Sequence, residues 1–81
     1  MNIAKPNLMI SWYETGSDGY PVNQELGPFF TARPVGRGKL DDDEWVSYEV
    51  QDEHLHFYQV IVPSHAGFSA MIMNNERNVK I

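Results

Sequence analysis

His54-Leu55-His56 is the short constellation with the clearest chemical potential. On a β-strand, residues i and i+2 point to the same face, so two such imidazoles can converge on one metal ion. Glu53, His65 or an acid from the 41–44 run would be at hand to complete the shell. The pair also has a plainer reading, as two half-exposed histidines beside an acidic turn that lend it mild pH sensitivity. The expectation is no bound metal or cofactor, with His54 and His56 as the candidates if there is one.

Asp41-Asp42-Asp43-Glu44 places four carboxylates in a row. Carboxylate oxygens suit Ca²⁺ or Mg²⁺, but the run lacks the alternating ligands, central glycine and terminal glutamate of an EF-hand loop. Adjacent acids repel one another, and a solvated loop paired with Arg33, Arg37 or Lys39 is the simpler expectation. Gly36-Arg37-Gly38-Lys39 has neither the spacing nor the Ser/Thr of a phosphate loop, and three aspartates follow it closely. Ser64 and His65 are sequence neighbours, a poor geometry for a serine–base pair, and no nucleophile-elbow pattern occurs. No catalytic residue is assigned, and a non-enzymatic role is expected.

The elements that would carry these residues belong to a small chain. Eighty-one residues make one domain with a modest core. With no cysteine, neither a disulfide nor a thiolate site is available, so stability must come from packing, aided by self-association. The net charge of −5 disfavours direct contact with nucleic acid. The segment 41–53 holds seven acids and no Lys or Arg, directly after Arg33, Arg37 and Lys39. No charged n-region with a long apolar run opens the chain, and no window approaches the roughly 20 apolar residues of a membrane helix. A soluble, cytoplasmic protein without a membrane partner is expected.

The period-2 pattern predicts a mostly β fold of about five to six strands, as one small antiparallel sheet, a meander or a partly closed barrel. Residues 1–6 read as a loose arm and 7–13 (NLMISWY) as a first strand. Gly16, Ser17, Asp18, Gly19 and Pro21 supply dense turn chemistry. Residues 22–28 are ambiguous, with room for one helical turn at 23–26. Residues 29–35 (FFTARPV) read as a strand that Pro34 makes an edge or a bulge, and 36–39 as a flexible connection. Residues 44–50 and 55–62 form a hairpin about a turn at 51–54. After a turn at 64–67, residues 68–75 (FSAMIMNN) suit a strand, with an α+β alternative in which 68–77 are helical. A turn at 75–78 and a short strand at 79–81 would close the chain.

The hairpin is the centre of the reading. Val46, Tyr48 and Val50 share one strand face, and Leu55, Phe57 and Ile61 share another; both sets are expected in the core. The opposite faces carry Trp45, Glu49, His56 and Tyr58, with Asp41, Asp42 and Asp43 at the adjoining loop. These residues are the expected interaction surface. The chain has more aromatic residues than one small sheet face can cover, and exposed rings mark contact sites. The expected function is a protein-interaction module, self-associating as a homo-oligomer such as a homodimer. Two alternatives are an acidic decoy that occupies a basic nucleic-acid-binding groove and a metal- or ligand-binding module using His54 and His56.

Overall fold

The computed structural model describes residues 5–65 and 67–74. The protein is mostly β, as expected, with six strands and no helix among these residues. The strands are β1 (Leu8–Thr15), β2 (Pro21–Phe29), β3 (Thr31–Leu40), β4 (Asp43–Gln51), β5 (Phe57–Pro63) and β6 (Met71–Asn74). They form two three-stranded antiparallel sheets, in the orders β2-β1-β6 and β3-β4-β5, rather than one sheet or a barrel. The fifth-strand reading of 68–75 holds over Met71–Asn74, and no helix forms between 68 and 74. The closing turn and strand expected at 75–81, and the arm at 1–4, lie outside the described residues.

Two segments read as irregular are strands. Residues 22–28 belong to β2, and 36–39 to β3. Each carries a bulge that explains why simple alternation misses it. In β2, Leu8 faces Phe29 while Ile10 faces Leu26, so one extra residue sits in β2. Gly27 makes this possible. Its φ is 148°, and a Cβ there would stand 2.8 Å from the Leu8 carbonyl oxygen. The Gly27-Pro28 peptide is cis. The extra residue shifts the parity, so Phe29 turns inward and is buried. In β3, Pro34 faces Tyr48 and Gly36 faces Ser47, which leaves Val35 bulged and exposed.

Only Phe30 separates β2 from β3, so the chain changes sheet at a corner. The Phe30 N–H donates to the Gln51 carbonyl (2.8 Å) and ties that corner to β4. The core lies between the sheets. Ile10 and Phe29 come from the first sheet, and Val46, Tyr48, Val50 and Val62 from the second. Leu8, Trp12, Ala32, Val60, Ala70 and Ile72 pack around them, half-buried. Burial pushes the Tyr48 phenol up from its ordinary pKa, with Arg37 opposing weakly.

The β4–β5 pairing corrects the expected core. Val46 faces Val62, Tyr48 faces Val60 and Val50 faces Tyr58. Residues directly opposite share a face, so Val60 and Val62 join the core. Leu55, Phe57 and Ile61 do not; they are 63%, 64% and 66% exposed. The cause is loop length. Pairing 50 with 55 across a four-residue turn would send the odd residues of β5 inward. The observed turn spans five residues, between Gln51 and Phe57, and reverses the parity.

This face assignment is testable by substitution in dilute protein. Val62→Ser should cost about 2–3 kcal/mol of unfolding free energy by urea titration, because it removes buried apolar surface and buries a hydroxyl. Ile61→Ser should stay within about 0.5 kcal/mol of the parent. The reverse order would place the odd residues inside.

Candidate interaction surface

The outer face of the β3-β4-β5 sheet carries the residues of greatest functional interest. Its rows follow from the register: Gly38 beside Trp45 beside Pro63, then Gly36, Ser47 and Ile61. Arg33, Glu49 and Gln59 come next, then Thr31, Gln51 and Phe57. A sheet face turned from the core is ordinarily polar. This one holds Trp45, Ile61 and Phe57, all exposed large side chains.

Trp45 is held by a glycine. A Cβ on Gly38 would lie 2.1 Å from the indole Cζ2, so the ring covers the backbone where Gly38 has no side chain. This contact explains why 36–39 is strand despite its glycines. The indole remains 38% exposed and borders two concave regions. One, of about 280 Å³, is lined by Arg37, Gly38, Lys39, Glu44, Val46 and Ser64 as well as Trp45. The other, of about 260 Å³, adds Ile61, Pro63 and His65 on the β5 side. Both are open rather than enclosed, a shape that suits a macromolecular surface better than a small molecule.

Two ion pairs link β3 to β4 on this sheet. Arg33 donates from Nε (3.0 Å) and Nη2 (2.9 Å) to Glu49 Oε1. Lys39 Nζ lies 3.7 Å from Glu44 Oε1. The expected pairing of the cations with the 41–44 run is thus met only at Lys39, while Arg33 pairs across the sheet with Glu49. Ser47 donates to Gln59 Oε1 (3.3 Å). Asp41, Asp42 and Asp43 are exposed, with Asp41 and Asp42 forming the two-residue tip between β3 and β4. Asp41 adopts φ 57°, a region that aspartate tolerates.

The expected surface is split by the structure. Trp45 and Glu49 share the outer face, with Asp41–Asp43 at its end. Tyr58 lies opposite Val50 on the inner side, 43% exposed at the rim of the core, where its ring meets Phe29 edge-on at 6.3 Å. His56 is not on a strand. Both histidines fall in the 52–56 turn, so the i, i+2 strand argument does not apply to them. Their rings are 6.3 Å apart, and among the described residues no group of three or more His, Asp or Glu side chains gathers as a metal shell would require. Phe57 and Ile61 belong to the outer face and not, as alternation alone predicts, to the core. The readable signal is the run Phe57–Val62, which opens a stretch without Asp, Glu, Lys or Arg that lasts to residue 75.

The turn itself is built on Asp52. Its Oδ1 accepts the backbone N–H groups of His54 and His56, both at 2.9 Å. The Asp52 N–H donates to the His56 carbonyl, and the Leu55 N–H donates to the Asp52 carbonyl, both at 3.0 Å. Leu55 then takes φ 66°, the left-handed position that closes the tip at 53–55, inside the Asp52–His56 hydrogen bond of the five-residue connection. The two amides, that of His56 first, hold the Asp52 carboxyl below its ordinary pKa of 3.8.

The chain matches no protein-family model, no curated protein and no solved structure.

A carboxyl whose folded-state pKa is lowered adds stability above its unfolded value and loses it as pH falls through the folded one. Asp52→Ala should therefore lower the thermal midpoint at pH 7, and the gap from the parent should close as the pH drops below about 4. A gap that stays constant down to pH 2 would mean that the charge plays no part. For Trp45, Gly38→Ala in a Trp12→Phe background should shift the indole emission to the red by displacing the ring, at a cost of about 1–3 kcal/mol in stability. An unchanged spectrum would show that the ring does not rest on Gly38.

Proposed function

We propose that this protein is a small, non-enzymatic interaction module that works by associating with copies of itself through the β3-β4-β5 sheet. The observation that carries this reading is the exposure of Trp45, Phe57 and Ile61 together on one sheet face of a small chain. Exposed apolar side chains gathered on one sheet face are what association removes from water.

Sedimentation velocity over a concentration series should show a reversible monomer–dimer equilibrium. The double variant Phe57→Glu/Ile61→Glu should be monomeric throughout with its far-UV circular dichroism unchanged. A parent protein that stays monomeric into the millimolar range would overturn the proposal.

A further inference from the structure

Among the described residues the two sheets present four edges, and those of β3 and β2 are guarded. The β3 edge carries Arg33, Pro34, Arg37 and Lys39 and a bulge at Val35. The β2 edge carries Pro21, Glu25 and Pro28 and the Gly27 bulge. These are the ordinary devices that keep an edge from pairing with another chain. β5, Phe-Tyr-Gln-Val-Ile-Val-Pro, has none of them until its last residue. It is uncharged, rich in β-branched and aromatic residues, and among the described residues no strand lies beyond it.

The hydrogen-bond phase of this edge is fixed from both ends. The Asp52 N–H bonds the His56 carbonyl, and the Ser64 N–H bonds the Glu44 carbonyl. Hydrogen-bonded pairs alternate along an antiparallel ladder, so Tyr58, Val60 and Val62 bond to β4. Phe57, Gln59 and Ile61 therefore point their N–H and C=O groups outward. Pro63, with no N–H, ends the row.

We infer that β5 is the docking edge, and that its occupant is the β5 strand of a second copy, paired antiparallel about a two-fold axis at Gln59. This rests on the self-association proposed above and specifies its geometry. In this register Gln59 faces its own symmetry mate, and Phe57 faces Ile61 of the other copy, twice. All three outward N–H groups and all three outward carbonyls of each copy are then bonded. The two most exposed large apolar side chains of this strand, Phe57 at 64% and Ile61 at 66%, become aromatic–β-branched cross-strand pairs. Tyr58, exposed at the rim of the core, falls beside Val60 of the other copy. A shift of the axis to Val60 would instead set Phe57 against Pro63 and Gln59 against Ile61, and would leave an outward carbonyl opposite no donor. The second copy is favoured over an unrelated strand because β5 is neutral and complementary to itself in this one register. The product is a continuous six-stranded sheet whose outer face carries two Trp45–Ile61–Pro63 patches.

The chain has no cysteine, so Gln59→Cys introduces a unique thiol. Directly paired residues have Cα atoms about 5.5 Å apart, within disulfide reach. Under mild oxidation the variant should convert to a covalent dimer at concentrations where a Val22→Cys control on the β2 edge stays at least tenfold less cross-linked. In the unmodified protein, amide exchange at Phe57, Gln59 and Ile61 should slow at least tenfold between dilute and concentrated samples, while Tyr58, Val60 and Val62 stay protected in both. If sedimentation shows dimers but neither the cross-link nor the concentration-dependent protection occurs, the β5 edge is not the contact, and self-association through another surface stands. If sedimentation shows only monomer, both readings fall together.

Discussion

The structure depends on one small polar device, the Asp52 carboxylate accepting two amide hydrogens of its own turn. Those bonds set the β4–β5 connection at five residues instead of four. Because side chains alternate with period two, one residue of loop length decides which face of β5 is inside. With the observed loop, Val60 and Val62 close the core over Val46, Tyr48 and Val50. The same choice turns Phe57 and Ile61 outward. It also fixes which amides of β5 bond to β4 and which are left at the edge. Core, exposed face and open edge are three consequences of a single register.

The core that results is slender. Among the described residues six apolar side chains are buried, and Ile10 and Val50 alone are the large ones fully so. A chain of this size has little reserve. It therefore relies on local devices that make each strand fit. The Gly27 bulge rotates Phe29 into the interior, and the Trp45 indole covers the bare backbone of Gly38. Leu55 shows the opposite tension. It holds a left-handed backbone better suited to glycine and leaves its side chain 63% exposed. Such a backbone typically costs a β-carbon-bearing residue about 1–2 kcal/mol. The turn keeps it because the Asp52 hydrogen bonds over-determine the loop around it.

Much of this was readable in the sequence, and what was not has definite causes. The β class, the β1 strand, the inward set Val46/Tyr48/Val50 and the exposure of Trp45 follow from alternation and turn chemistry. The extents of β2 and β3 do not, because a bulge resets the period and glycines imitate a loop. The division into two sheets rests on the corner at Phe30, where adjacent strands change partners with no turn signal. The inside face of β5 does not follow either, because Leu55, Phe57 and Ile61 form as good an apolar row as Val60 and Val62. No composition argument separates the two rows; only loop length does. The exposed surface is hidden for the same reason, since its β5 residues have the pattern of a core row. His54 and His56 drew attention through a strand spacing that the turn does not provide.

Charge placement gives the exposed surface its direction. Asp41, Asp42 and Asp43 cluster at one end of the β3-β4-β5 sheet, Asp52 and Glu53 at the other, and none lies along β5. Within the sheet, Arg33 and Glu49 neutralise each other. Like charges at the two ends resist end-to-end stacking, and the prolines, bulges and cations of β2 and β3 resist pairing there. Approach along β5 meets neither obstacle. The guarded edges of β2 and β3 and the unguarded edge of β5 say from which side a second strand joins, and the apolar outer face then runs on across the enlarged sheet.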